Sequence, residues 1–255
     1  MSQPLTGSFA GRVVLITGGS SGIGRATALA FAKEGACVAI AARRSEESQE
    51  IVRQITAQGG EAIFVQTDIT VPDQVERMVK TTVDFYGRLD FAFNNAGVLG
   101  TPFIPCPDYK LETWDTVISV NLTGVFLSMK YEIPAILASG GGAIVNMSSI
   151  AGQVGGPGGI AYYASKHGVI GCTKAAALEF AAKGVRVNAV CPAVIETDMA
   201  DQFVPQAREI LLAGHPIGRF GQPEEVANVV TFLCSSSASF ITGHALAIDG
   251  GVLSR

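Results

Sequence analysis

Tyr162 and Lys166 stand four residues apart in Ala161-Tyr162-Tyr163-Ala164-Ser165-Lys166. On a helix that spacing puts both side chains on one face. An ammonium so placed favours phenolate over phenol, and a phenol tuned in this way is a general acid and base. Bringing it from about 10 to near neutrality takes about three units, roughly 4 kcal/mol, and a second positive charge nearby would share that work. The neighbouring Tyr163 has His167, not lysine, four residues later. A second chemistry-bearing stretch is Thr17-Gly18-Gly19-Ser20-Ser21-Gly22-Ile23-Gly24. A glycine loop between a strand and a helix lets the backbone approach a phosphate, and the free N–H groups and dipole of the helix end favour its charge. A tight strand-to-helix turn would need the same glycines. The three histidines, His167, His215 and His244, show no metal-ligand spacing, and Gly-x-Ser-x-Gly is absent. Both a catalytic metal and a serine-hydrolase elbow are therefore disfavoured.

These residues must be carried by elements, and the sequence alternates short Val- and Ile-rich runs with longer amphipathic ones. That is the pattern of parallel strands joined by crossover helices. The runs predict strands at Val13–Ile16, Val38–Ala41, Ala62–Gln66, Leu89–Phe93, Ala143–Met147, Val185–Val190 and Ala245–Ile248. They predict helices at Arg25–Glu34, Glu46–Gln58, Asp73–Tyr86, Trp114–Leu137, Tyr162–Ala182 and Glu224–Cys234. Purely apolar strands need cover on both faces, so the expected fold is α/β, a Rossmann-type doubly wound seven-stranded parallel sheet with helices on both faces. No Pro/Ser linker or solenoid repeat divides residues 1–255, which read as a single domain with a short N-terminal tail at 1–10.

Composition narrows the classes. Of 255 residues, 48% are hydrophobic and only 16% charged, which excludes disorder. A net charge of −4 gives no basic footprint for nucleic acid. The N-terminus lacks the pattern of a signal peptide. The uncharged stretch from Ile133 to Ser165 is broken by glycine clusters, so no membrane span is expected. Five scattered cysteines without a Cys-x-x-Cys pair suit reduced thiols in a cytoplasmic protein.

The spacing Thr17-Gly18-x-x-x-Gly22-x-Gly24 resembles the fingerprint of the short-chain dehydrogenase/reductase family. Further motifs follow in order: Asn94-Asn95-Ala96-Gly97, Ser119-Val120-Asn121, Ser149 thirteen residues before Tyr162, Tyr162 with Lys166, Arg219-Phe220-Gly221-Gln222-Pro223, and Ile241-Thr242-Gly243. The resemblance covers nearly the whole chain. It implies hydride transfer between a nicotinamide and a ketone or secondary alcohol. In that reading Tyr162 is the general acid/base, Lys166 lowers its pKa and binds the nicotinamide ribose, Ser149 orients the substrate oxygen and Asn121 holds a proton-relay water. It also implies that Gly18, Ser20, Ser21, Gly22, Ile23 and Gly24 cradle the pyrophosphate. Asp68 and Ile69 would meet the adenine, and Asn94, Asn95, Ala96 and Gly97 the adenosine ribose side and the central strand. Pro192, Ile195 and Thr197 would meet the nicotinamide carboxamide, beside Ala193 where the family usually has glycine.

At the end of the second strand an acidic residue would bind ribose hydroxyls and repel a 2′-phosphate. Ala42 stands there, followed by Arg43 and Arg44, whose guanidinium groups suit a phosphate, so NADP(H) is favoured and NAD(H) remains open. The resemblance places the substrate pocket in Ala151–Ala161 and in a substrate-loop insertion at 198–217. The latter supplies Met199, Phe203, Val204, Ile210, Leu211 and Leu212, which favours an apolar small-molecule carbonyl or alcohol substrate. Reduction of a 3-oxoacyl group on a carrier protein is the alternative within the class, and a non-catalytic dinucleotide sensor the alternative outside it. Relatives commonly form homotetramers through the helices that carry Asn121 and Tyr162, and the same is expected here.

Overall fold

In the computed structural model, which describes residues 7–202 and 204–254, the apolar runs form one parallel sheet. Its strands are β1 (Val13–Thr17), β2 (Cys37–Ala42), β3 (Glu61–Gln66), β4 (Phe91–Asn94), β5 (Gly142–Met147), β6 (Val185–Pro192) and β7 (Ala245–Ile248). They lie in the order β3-β2-β1-β4-β5-β6-β7. Parallel neighbours require crossovers, supplied by α1 (Gly22–Lys33), α2 (Ser45–Ala57), α3 (Pro72–Tyr86), α4 (Leu111–Ile118) with α5 (Gly124–Ala138), α6 (Ile160–Phe180), α7 (Val204–Ala213) and α8 (Pro223–Cys234).

Alternation along the strands divides the core. Leu15 and Ile144 face one layer with Met78 of α3, Ile136 of α5 and Val169 of α6. Val14 and Ile16 face the other, with Phe31 of α1, Ile51 of α2 and Leu233 of α8. β1, β2 and β4 are buried along their length, whereas the edge strands β3 and β7 are partly open, as edges in a two-faced sheet must be. The chain reverses direction across the sheet between β1 and β4. The loops that leave their carboxyl ends diverge there, which opens a crevice.

The structure departs from expectation at four places, the start of α1, the middle of the long helix, the segment 198–217 and Phe9. The first helix begins at Gly22, not Arg25, so the glycine loop runs directly into its first turn. The long run containing Trp114–Leu137 is helical from Leu111 to Ala138, but Ser119–Thr123 forms a π-helical turn between α4 and α5. Within 198–217, Ala200–Gln202 is a 3-10 turn and α7 is kinked at Ala207. Residues 1–6 of the expected tail, and Phe203, lie outside the described residues. Phe9, by contrast, is core: its ring packs against Phe31 and Phe91, with centroids 4.9 and 5.3 Å away.

Candidate active site

The crevice holds a cleft of about 440 Å³ that runs from the glycine loop and Arg43-Arg44, past Asn95–Gly97, to Ser149, Tyr162 and Lys166, and on to Met199 and Leu211. Its first end is built around backbone. Gly18 and Gly22 have φ of 64° and 50°, in the left-handed region glycine favours. A Cβ on Gly18 would stand 2.8 Å from Ala96 Cα, and one on Gly24 2.3 Å from the Gly18 carbonyl oxygen. No side chain caps α1 and no acidic residue sits in its first turn, so its N-H groups and dipole remain available to an anion. Asn95 secures the loop by donating from Nδ2 to the carbonyls of Thr17 and Gly18 at 3.1 and 3.0 Å.

Arg44 reaches back over this loop, donating to Ser20 Oγ at 3.0 Å and Ser21 Oγ at 2.6 Å. Arg43 is exposed at the rim, close enough to Asp68 to stabilise its carboxylate. Burial pushes Asp68 up, yet two hydrogen bonds from Thr70 together with Arg43 hold it below the ordinary carboxylate value. Ile69 lines the cleft and packs where Gly124 has no side chain. After β6, Pro192, Ile195 and Thr197 line the opposite wall, with Thr197 Cγ2 3.1 Å from where a Cβ on Gly22 would lie. Ala193 keeps an ordinary negative-φ backbone, with its amide donating to the Ile248 carbonyl at 3.1 Å, so nothing in the fold demands glycine there. A phosphate-bearing dinucleotide fits this end, because the charge, free amides and close glycine backbone are all present in one groove.

The other end gathers three side chains, Ser149, Tyr162 and Lys166. Ser149, at the exit of β5, accepts from the Ala151 amide at 3.1 Å, and its hydroxyl donates to the Pro192 carbonyl at 3.4 Å. Ser148 is turned away, its hydroxyl donating to the Lys166 carbonyl at 2.9 Å. Lys166 is 3% exposed, with Nζ donating to the Met147 carbonyl at 2.9 Å and standing 5.5 Å from the centre of the Tyr162 ring. Burial lowers the Lys166 ammonium to about 8. The Tyr162 phenol moves the other way from expectation: burial raises it, and the Ser149 hydroxyl only partly offsets this. Lys166, bound to the Met147 carbonyl, does not draw the phenol down in the chain alone.

Asn121 lies in the π turn and is fully buried. Its Oδ1 accepts from the Val98 amide and its Nδ2 donates to the Val98 carbonyl, each at 2.8 Å, with a further bond to Ser165 Oγ at 3.2 Å. The side chain thus clamps the loop after β4 to the helix. Asn94 departs from the placement the resemblance implied: it points into the core beneath the cleft, bonding Glu132 and Asn146. Asn95, Ala96 and Gly97 line the cleft itself.

Of the apolar residues expected in the pocket, Met199 and Leu211 line it, Leu212 packs beside Ala200 and Phe220, and Ile210 is 80% exposed. Sequence reading missed Leu99, Pro102 and Phe103, which wall the cleft from the loop after β4. Two adjacent apolar residues in a glycine-containing loop were the available signal. Phe103 has a φ of 63°, the one non-glycine residue in the left-handed region among those described, and its amide donates to the Pro157 carbonyl at 2.8 Å. No group of three or more His, Cys, Asp or Glu side chains that could hold a metal occurs among the described residues.

A family model described as enoyl-(acyl carrier protein) reductase matches residues 18–253. Cyclohexanol dehydrogenase of Acinetobacter sp. (strain SE19) is 47% identical over 255 residues, covering 100% of both chains. The chain belongs to the short-chain dehydrogenase/reductase family. Within that family it is also similar to the 3-oxoacyl-(acyl-carrier-protein) reductase FabG of Thermotoga maritima, 44% identical over 243 residues, 95% of this chain and 98% of the relative. Among solved structures, levodione reductase superposes with a TM-score of 0.91 at 38% identity, covering 95% of this chain and 98% of that one. The chain is therefore an oxidoreductase of the short-chain class.

Proposed function

We propose that this short-chain dehydrogenase/reductase interconverts a ketone and a secondary alcohol with NADP(H), and that its substrate is a compact, apolar, uncharged compound. One observation carries the reading: Ser149, Tyr162 and Lys166 share a cleft whose far end is an anion-ready glycine loop overlaid by Arg44. Gly18, Ser20, Ser21, Gly22, Ile23 and Gly24 would hold the pyrophosphate, with Asp68, Ile69, Asn95, Ala96 and Gly97 along the adenosine. Pro192, Ile195 and Thr197 would hold the carboxamide. Arg43 and Arg44 favour a 2′-phosphate over a bare ribose.

The nicotinamide, when bound, donates or accepts the hydride. The chain handles the proton and the oxygen. Tyr162 Oη gives its proton to the developing alkoxide, or takes it from the alcohol in reverse. Ser149 Oγ donates to the same oxygen, where charge appears only as the reaction proceeds. Lys166 Nζ would reach a ribose hydroxyl by leaving or sharing the Met147 carbonyl, and an oxidised nicotinamide held beside it would add a positive charge favouring the Tyr162 phenolate in the alcohol-oxidising direction. Both Asn121 amide hydrogens are committed, so a relay water would rest on a backbone carbonyl of the π turn.

The apolar substrate is supported by Leu99, Pro102, Phe103, Met199 and Leu211, which offer no charge to an acidic carrier. Similarity to the Thermotoga enzyme keeps 3-oxoacyl reduction as a second reading. A sensor without turnover has nothing in its favour, since Asn121, Ser149, Tyr162 and Lys166 are all present. The reading extends to a cytoplasmic homotetramer. Phe126 on α5 and Leu178 on α6 are exposed and support association, and no described helix is long and apolar enough to cross a membrane.

Absorbance at 340 nm, followed with NADPH and with NADH over cyclic ketones and a 3-oxoacyl thioester, tests these points together. Turnover of a cyclic ketone with NADPH is expected, falling at least ~1000-fold in Tyr162→Phe. Preference for NADH or for the thioester overturns the corresponding part.

A further inference from the structure

Glu132 sits on α5 directly beneath the cleft and is 0% exposed. Its Oε2 accepts from Asn94 Nδ2 at 2.9 Å, and the second hydrogen of that amide goes to Asn146 Oδ1 at 3.0 Å. Asn146 Nδ2 continues to Thr173 Oγ1 at 3.0 Å on α6 and also contacts Met129 Sδ at 3.3 Å. One connected set of polar groups therefore ties the last residue of β4 to β5 between two helices. Buried polar groups ordinarily find partners. Here Glu132 Oε1 and Asn94 Oδ1 both lack one. A carboxylate in this place would be a full charge with one hydrogen bond and no cation, which is costly.

Asn94 and Asn146 face each other across β4 and β5, and the residues after them carry the site. Asn95 secures the glycine loop, and the Met147 carbonyl anchors Lys166. We propose that Glu132 is a positioning residue, a neutral carboxylic acid that holds the carboxyl ends of β4 and β5 together through Asn94 and Asn146 and so sets where Lys166 is anchored. Its proton, on the otherwise unpartnered Oε1, removes a buried charge that the set has no cation to balance. Burial pushes this carboxyl up to about 8, with the Asn94 hydrogen bond opposing. The groups that bond it or reach it through the network are Asn94 on β4, Asn146 on β5 and Thr173 on α6. No charged side chain among the described residues contributes to its titration.

Three variants test this, with two readouts. Glu132→Gln keeps shape and neutrality and should hold kcat within about twofold, whereas Glu132→Leu removes the acceptor and should lower kcat roughly tenfold or more. Ile136→Val, buried one turn further along α5, controls for lost stability and should leave kcat unchanged. The second readout needs no turnover and stands even if the proposed reaction is wrong. A carboxyl raised on folding makes stability fall as pH rises from about 4.5 through about 8. The melting temperature of the parent should therefore decline relative to Glu132→Gln across that window. Parallel melting curves overturn the neutral acid, even if Glu132→Leu fails to fold. Full kcat in a folded Glu132→Leu, or an equal loss in Ile136→Val, overturns the positioning role.

Discussion

Lys166 Nζ is held by the Met147 carbonyl at 2.9 Å, on the last residue of β5 and two residues before Ser149. The lysine thus meets the strand that carries the serine as well as standing on the helix that carries Tyr162. An ammonium on one carbonyl in a site 3% exposed is poorly solvated, and burial accordingly lowers it to about 8 from an ordinary 10.5. The folded chain then binds fewer protons than the unfolded one between about pH 8 and 10.5, so stability rises with pH through that window. Below it the full penalty applies. Lys166→Met should raise the melting temperature of the dinucleotide-free protein at pH 7, by roughly 10 °C for a penalty of roughly 3 kcal/mol. The same variant should cut turnover by ~100-fold or more. A lower melting temperature would mean that the bond to Met147 outweighs desolvation.

Arg44 spans Ser20 and Ser21, so its guanidinium is already directed at the loop where a 2′-phosphate would approach. A charge-assisted hydrogen bond of this kind contributes about 1.5–3 kcal/mol. Arg44→Ala should therefore weaken NADPH binding about 10- to 100-fold and leave NADH nearly unchanged, as read by titrating the fluorescence of each dinucleotide. Equal losses for both would assign Arg44 to loop support alone.

Asp90 pins three strands where they begin. Its carboxylate takes Arg12 Nη1 at 2.7 Å, Arg88 Nε at 2.7 Å and the Val13 amide at 2.9 Å, while its backbone pairs with Val13 and Ala143. Burial would raise its pKa, but Arg88, the Val13 amide and Arg12 together hold it below 3.8. The resulting stability is present above the unfolded value and lost as pH falls through the folded one. Asp90→Asn should cost about 2–3 kcal/mol near neutrality and flatten the acid limb of a denaturation curve. Both effects are measurable by urea unfolding between pH 3 and 7.

The strand and helix pattern was legible because interior strands here are uniformly apolar and because glycine marks the ends of α1 and α3. Val13–Thr17 and Cys37–Ala42 leave no other reading, and the motif spacing singled out Gly18, Ser149, Tyr162, Lys166 and Thr197, which line one cleft, as well as Asn121 and Gly24, which do not. What the sequence concealed depended on long-range partners. A π turn at Ser119–Thr123 leaves no trace in helix propensity, because it is stabilised by Asn121 bonding Val98 across the cleft floor. Asn94 and Asn95 are adjacent and alike, yet strand alternation sends the first into the core and the second to the glycine loop. Likewise the rise in Tyr162 comes from burial contributed by residues far apart in sequence, while the i,i+4 rule sees only Lys166.

Phe103 shows a different kind of hidden feature, a strained backbone. A bulky residue at φ 63° is rare and costs on the order of 1–2 kcal/mol, so the surroundings must enforce it. They do so on both sides. The Phe103 amide donates to the Pro157 carbonyl at 2.8 Å, Tyr109 Oη accepts from the Thr101 amide at 3.4 Å, and Gly159 is close enough that a Cβ there would meet the Thr101 carbonyl at 2.8 Å. The ring is left 50% exposed on the cleft wall, an arrangement that stores strain to keep an apolar surface facing Tyr162's end of the groove. Phe103→Ala should raise KM for an apolar ketone about 5- to 10-fold with kcat nearly unchanged, since the lost contact is made equally by substrate and transition state. Phe103→Gly should lose the same contact but relieve the strain, and so melt at or above Phe103→Ala despite its more flexible unfolded chain. An unchanged KM in both would remove Phe103 from the substrate wall. A glycine variant clearly less stable than the alanine one would show that the left-handed backbone here costs the fold little.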